Sequence, residues 1–193
     1  MTLSIDPRTT AAVFIDMQEA VLSHPAEPVD APTVFSRAAE LAQSVREAGA
    51  LNIFVRTSFL PNEQDAPNPL RDFQKPKKPR PERWDQLVET MARTQNEPVV
   101  VKRTFNAFHG SDLDHQLRSH GIDTILLAGI STNLGVEGTG RSAYDLGYNV
   151  VFVEGIMATA KAANHEYSVN EVFPYLGRVR PMAEVFEALS ASA

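Results

Sequence analysis

The sequence predicts an α/β protein in three layers, with helices on both faces of a doubly wound, mostly parallel sheet of about six strands. Three observations predict it. Short apolar runs recur along the chain and are continuous rather than alternating, as in strands covered on both faces. Between them lie segments whose apolar residues recur at helical spacing. Strands alternating with helices imply βαβ crossovers, and therefore strands that run parallel.

The elements follow in order. Ala11–Ile15 (AAVFI) is the first strand. Pro32 sits near the start of a helix whose Phe35, Ala38, Ala39, Ala42 and Val45 share a face, and which ends near Gly49. Strands are expected at Leu51–Arg56 (LNIFVR), Pro98–Val101 (PVVV), Thr124–Ala128 (TILLA) and Asn149–Val153 (NVVFV), with a weaker last strand at Gly177–Arg180. Ser111 and Asp114 form an S-x-x-D capping pattern before Leu113 and Leu117. Further helices are expected at Leu134–Leu146, Asn164–Phe173 and Pro181–Leu189. Residues 57–83 break this rhythm. They hold six prolines and the basic run Lys75, Lys77, Lys78, Arg80 and Arg83. Such a segment reads as a solvated loop, or as a lid or oligomer arm.

The totals bound the function. A chain of 193 residues can bury a substantial core as a single domain, 1–193, and 43% hydrophobic with 22% charged residues is ordinary globular composition. A net charge of −6 argues against nucleic-acid binding through a broad basic face. The absence of cysteine excludes disulfides, thiolate metal sites and thiol catalysis. No basic region followed by an apolar stretch opens the chain, and no apolar run approaches the ~18 residues of a membrane span, so a cytoplasmic protein without membrane partners is expected. No cofactor is expected. The histidines His24, His109, His115, His120 and His165 show no metal-ligating spacing, and Asp112 with His115 reads as an exposed helical pair.

In a doubly wound sheet, ligands bind beyond the carboxyl ends of the strands. Asp16, Arg56-Thr57-Ser58, Lys102 and the turn Gly129–Gly135 fall there. Asp16 could act as general acid or base, or could cap a helix. Lys102 could hold Asp16, polarise a substrate oxygen, anchor a carboxylate, or simply lie at the surface. Gly135 sits in a helical first turn, whose N–H groups could bind an anion or whose lack of a side chain could permit close packing. Thr132 and Asn133 read as N-caps. Ser131 could be a nucleophile, although no histidine follows at a convincing position.

Together these positions resemble the isochorismatase-like hydrolase superfamily, which includes nicotinamidases, N-carbamoylsarcosine amidases, ureidoacrylate amidases and isochorismatases. VFIDMQ is similar to the family's first-strand motif. VVKRTFNAFHGSDLDHQLRSHGIDTILLAGISTN is similar to its lysine motif and central strand. TNLGVEGTGRSAYDLGYNVVFVEG is similar to T-N-x-C-V-x-x-T-x-x-x-A-x-x-x-G-Y, with Gly135 at the cysteine. The resemblance implies Asp16, Lys102 and Gly135 in place of an Asp–Lys–Cys triad, and a cis peptide at Ile130–Ser131. Candidate substrate-binding residues are Gln18, Phe108, Ile130, Ser131 and Leu134.

Metal-binding members carry Asp-x-His after the second strand, where this chain has Thr57-Ser58-Phe59, so no metal is expected. Isochorismatases also have glycine at the cysteine position and hydrolyse a vinyl ether, the aspartate protonating carbon and water adding to the resulting cation. Unlike them, this chain keeps the amidase-like Gly129-Ile130-Ser131-Thr132-Asn133. Their clamping arginine has no clear counterpart, Arg71 lying nearby out of register. The expectation is a cysteine-independent hydrolase of a small, anionic substrate, with Asp16 as general acid/base and Lys102 as its partner. The alternative is an inactive small-molecule-binding protein of the same fold. A homodimer or homotetramer is implied by the resemblance.

Overall fold

The structure, a computed structural model, describes residues 2–73 and 80–192. Lys75, Lys77 and Lys78 lie outside the described residues. Six parallel strands form one sheet: β1 (Thr10–Ile15), β2 (Leu51–Thr57), β3 (Val99–Lys102), β4 (Thr124–Ile130), β5 (Asn149–Ala158) and β6 (Arg178–Pro181). Their order is β3-β2-β1-β4-β5-β6. The chain therefore leaves β1 to one side for β2 and β3, then returns to the other side for β4, β5 and β6. The crevice between the ends of β1 and β4 is the switch point at which such a sheet can hold a ligand.

Alternation along each buried strand divides the core in two. Ala12, Phe14 and Phe54 face α1 (Ala31–Glu47) and α6 (Met182–Ser190), and the Phe14 and Phe54 rings stack 5.2 Å apart. Ala11, Val13, Ile15 and Phe152 face α2 (Leu113–Ser119), α3 (Glu137–Asp145) and α5 (Phe173–Leu176). Each fully buried Val, Leu, Ile or Phe contributes roughly 1.5–3 kcal/mol. α1 begins as its sequence signals: Asp30 accepts the Thr33 N–H at 2.8 Å and Pro32 occupies the first turn.

Several expected boundaries shift, each for a visible reason. β4 runs on through Ile130 and β5 through Ala158, because the two strands pair again after a bulge between Leu127 and Gly129. Gly129 is forced by close approach: a Cβ there would lie 2.3 Å from the Ile15 carbonyl oxygen, at a φ of +140°. The third helix begins with a π-turn at Thr132–Val136. The expected Asn164–Phe173 helix is α4 (Ala162–Tyr167), a π-turn at Ser168–Val172, and then α5. The S-x-x-D pattern does not close into a capping box. Ser111 Oγ accepts the Leu113 N–H at 3.2 Å, but the Asp114 carboxylate accepts the Tyr148 hydroxyl at 2.7 Å.

The segment after β2 is pinned by internal contacts in its described parts. The Arg80 guanidinium lies 4.0 Å from the Trp84 ring centroid and pairs with Glu63 at 2.5 Å, while Arg83 reaches Glu89 at 3.2 Å. These two arginines of the basic run therefore have acidic partners in their own chain. Among the described residues, no helix is long and apolar enough to cross a membrane.

The entry to β3 is held by Glu97. Its carboxylate accepts from Arg46 of α1 at 2.7 Å, from the Asn52 amide of β2 at 2.7 Å and from the Thr94 N–H at 2.7 Å. These donors outweigh the effect of burial and hold Glu97 below its ordinary value of 4.5. Its stabilisation is therefore present above that value and is lost as pH falls through the lower, folded-state value. Glu97→Ala is expected to cost about 2 kcal/mol at neutral pH. That penalty should shrink in acid, as chemical denaturation at pH 7 and pH 3 would show.

Candidate functional site

The site lies at the β1–β4 crevice, where three strand ends meet. β1 stops at Ile15, and Asp16 turns the chain through a left-handed conformation at φ 54°. Aspartate tolerates this region better than most side chains, at a cost of order 1 kcal/mol. The turn is anchored by the Asp16 N–H, which donates to Val55 O at 2.9 Å, and by the Gln18 N–H, which donates to Asp16 O at 2.8 Å.

Lys102 ends β3 with a side chain that is 2% exposed. Burying an ammonium is costly unless every N–H finds an acceptor. Here all three do: Asp16 Oδ2 at 2.8 Å, Thr57 Oγ1 at 2.8 Å and Thr104 O at 3.1 Å. Lys102 therefore holds Asp16, and its hydrogens are already committed before any substrate arrives. Thr57, at the end of β2, accepts from Lys102 and donates to Asp16 Oδ1 at 3.0 Å. Burial pushes the Asp16 carboxyl above its ordinary value, opposed by the charge and hydrogen bond of Lys102 and by the Thr57 hydroxyl.

Gly135 closes the site from the turn after β4. A Cβ at this position would meet Asp16 Oδ2 at 3.4 Å and Ile15 Cγ2 at 2.9 Å. The glycine thus brings bare backbone against one carboxylate oxygen, and a side chain there would require Ile15 to shift. The Ile130–Ser131 peptide is cis, as the resemblance implies. The Ser131 carbonyl accepts from Leu134 at 3.2 Å and Val136 at 3.1 Å, so those two N–H groups of the turn are satisfied within it.

The expected N-caps serve the turn in another way. Thr132 and Asn133 make no capping bond; Thr132 Oγ1 meets His165 Nδ1 at 2.9 Å, and Asn133 Oδ1 accepts from Thr159 Oγ1 at 2.6 Å. Burial holds His165 below its ordinary value, against the opposing charges of Glu154 and Glu166. Its Nδ1 meets Thr132 and not Ser131. Asp112 and His115 are exposed at the start of α2, and Asp112 bonds Gln116. Among the described residues, no three His, Asp or Glu side chains gather as a metal site.

The remaining candidates scatter. Leu134 is exposed beside Gly135, whereas Ile130 is buried in the core on the α1 side. Gln18 is 3% exposed, and its amide bonds the Thr57 backbone in both directions, at 2.9 and 2.7 Å. Phe108 is displaced from the site. The loop after β3 runs down α3, bringing Asn106 to Ser142 and Ala107 to Thr139, so that Phe108 stacks on Tyr148 at the foot of β5. Phe105 is the aromatic that neighbours Gly135: its carbonyl would lie 3.8 Å from a Cβ there, and its side chain is exposed. Arg56 pairs with Asp85 at 2.8 Å, and Arg71 is exposed. Sequence reasoning placed Thr57 at a strand end without giving it a role, and it did not single out Phe105.

Comparison with known proteins agrees with this geometry. An isochorismatase domain profile matches residues 10–184. The uncharacterized isochorismatase family protein YecD of Escherichia coli O157:H7 is 40% identical over 187 residues, 97% of this chain and 100% of that protein. YwoC of Bacillus subtilis, of the same description, is 36% identical over 189 residues, covering 96% and 97%. The structure of an isochorismatase family protein from Burkholderia thailandensis superposes with a TM-score of 0.93 at 35% identity, over 98% of this chain and 100% of that one.

The electrostatics of the site can be read without a substrate. The Asp16 carboxyl carbon should titrate above the ordinary aspartate value by 13C NMR. Lys102→Met should move the midpoint further up, because the ammonium is what opposes burial.

Proposed function

The chain belongs to the isochorismatase family of hydrolases, and from that premise we propose that it cleaves a small substrate by acid-assisted addition of water, without a protein nucleophile. The observation that carries this reading is the side-chain-free backbone of Gly135 beside Asp16 Oδ2, which would lie 3.4 Å from a Cβ there. A substrate atom brought to Gly135 would meet that carboxyl oxygen. Burial raises the proton affinity of that carboxyl, as a general acid working near neutral pH requires.

In the proposed step Asp16 donates its proton to an electron-rich substrate atom, such as the terminal carbon of an enol ether. The cation so formed is attacked by water, a proton returns to the carboxylate, and the resulting hemiketal breaks its ether C–O bond, its hydroxyl proton passing to the leaving oxygen as the carbonyl product forms. Lys102 stabilises the carboxylate left after the transfer and keeps its proton affinity from rising too far. The N–H groups of Leu134 and Val136 are occupied by Ser131 O, so the reading assigns them no oxyanion. The cations of β2 and β3 and of the residue after it, Arg56, Lys102 and Arg103, are paired with Asp85, Asp16 and Asp65. The proposal therefore rests on the reaction, and the anionic character expected of the substrate is for a screen to decide.

Turnover should be sought with isochorismate, other small enol ethers and small amides. Asp16→Asn is expected to lower kcat by about 10²–10⁴-fold while the protein still melts cooperatively. Full activity in that variant would exclude the mechanism. Saturable binding with no product from any substrate class would favour a binding protein instead. Gly135→Ala places a methyl beside Oδ2 and is expected to lower kcat on the order of a hundredfold.

A further inference from the structure

We propose that Thr57 is the positioning residue of this site, orienting the Asp16 carboxyl through Oδ1 so that Oδ2 is the oxygen presented to Gly135. The inference rests on the acid–base role given to Asp16 above, and adds which side chain orients the carboxyl for it.

The argument is one of hydrogen-bond direction. An ammonium has no lone pair, so in the 2.8 Å contact between Lys102 Nζ and Thr57 Oγ1 the lysine must donate. The single hydrogen of the Thr57 hydroxyl is then free to point at Asp16 Oδ1, 3.0 Å away. Oδ1 is thus held on the β2 side by a hydroxyl donor. Oδ2 accepts from Lys102 at 2.8 Å and is the oxygen next to position 135, where a Cβ would lie 3.4 Å away.

Thr57 is itself fixed. Gln18 donates to its carbonyl at 2.9 Å and accepts from its N–H at 2.7 Å, extending the β2 ladder by a side-chain pair. The expected substrate contact from Gln18 is thereby replaced by a structural one. The ionisable group facing Asp16 is Lys102 from β3; β2 supplies the uncharged Thr57, and the turn after β4 supplies Gly135.

In the reaction the O–H bond at Oδ2 breaks as the proton bonds to the substrate, and the electron pair stays on the carboxylate. The Thr57 hydrogen bond at Oδ1 and Lys102 at Oδ2 share the resulting charge. Water then bonds to the substrate cation, and the proton it releases returns to Oδ2. The hemiketal so formed breaks its ether C–O bond, the leaving oxygen taking the hydroxyl proton as the carbonyl forms. One water is consumed and the carboxyl is restored.

The test needs no substrate. The Asp16 carboxyl signal in 13C spectra of the full chain is assigned by its absence in Asp16→Asn. Thr57→Val keeps the side-chain shape but removes the hydroxyl, and should move the Asp16 midpoint upward. Thr57→Ser should leave it at the wild-type position. A Thr57→Val midpoint equal to wild type, or a Thr57→Ser midpoint displaced as far as that of Thr57→Val, would overturn the proposal. Should Thr57→Val not fold, the wild-type protein decides: a Thr57 hydroxyl proton protected from exchange supports the assignment, and one exchanging at the bulk rate overturns it. Failure of the acid mechanism would show instead as turnover in Asp16→Asn.

Discussion

Burying Lys102 constrains everything around it. Lys102 ends the edge strand β3, yet its side chain is buried, which is costly unless acceptors surround its three N–H groups at hydrogen-bond distance. One is Asp16, which must leave β1 through a left-handed turn to present its carboxylate. A second is Thr57, whose backbone is secured by Gln18. The third is the carbonyl of Thr104, just past β3. The ends of β1, β2 and β3 are thus tied through one nitrogen atom. The parallel register that aligns Thr57 with Lys102 is what makes that possible.

Two glycines beside this cluster have different physical meanings, and the distances separate them. At Gly129 an added Cβ would stand 2.3 Å from a backbone oxygen of β1, which cannot retreat without breaking the sheet. At Gly135 the tightest neighbour is the branch methyl of the buried Ile15, at 2.9 Å, a side-chain contact and not a backbone one. The sheet itself dictates the first glycine, whereas at the second a side chain would have to displace a stiff, β-branched neighbour. What sets Gly135 apart is its other neighbour, Asp16 Oδ2 at 3.4 Å.

Most of the fold was legible in the chain because buried parallel strands and amphipathic helices leave strong local patterns. Val34, Phe35, Ala38, Leu41, Ala42 and Val45 bury one stripe of α1, and every expected strand overlaps an observed one. The misses arose where tertiary contacts overrule local signals. Asp114 looked like half of a capping box but bonds Tyr148 across 34 residues. Thr132 and Asn133 looked like caps but tie the turn to His165 and Thr159. Phe108 was a candidate substrate-binding residue, yet the loop's descent along α3 carries it to Tyr148. The strand-end rule placed Asp16, Lys102 and Gly135 near one another. It could not give the direction of a hydroxyl hydrogen, which depends on the joint arrangement of three side chains.

That joint arrangement makes the two oxygens of Asp16 chemically unequal. In water they would be interchangeable. Here one is committed to a hydroxyl donor on the β2 side, and the other lies between an ammonium and the bare backbone of Gly135. A thiol at that position would have engaged the oxygen's proton-transfer capacity. With glycine there, and no cysteine anywhere in the chain, that oxygen has no thiol partner. On the reading proposed above, the site keeps the charged frame that a nucleophile would have used, with water as the nucleophile. Leu134, next to Gly135 in the chain, and Phe105, whose carbonyl approaches it, both carry exposed apolar side chains.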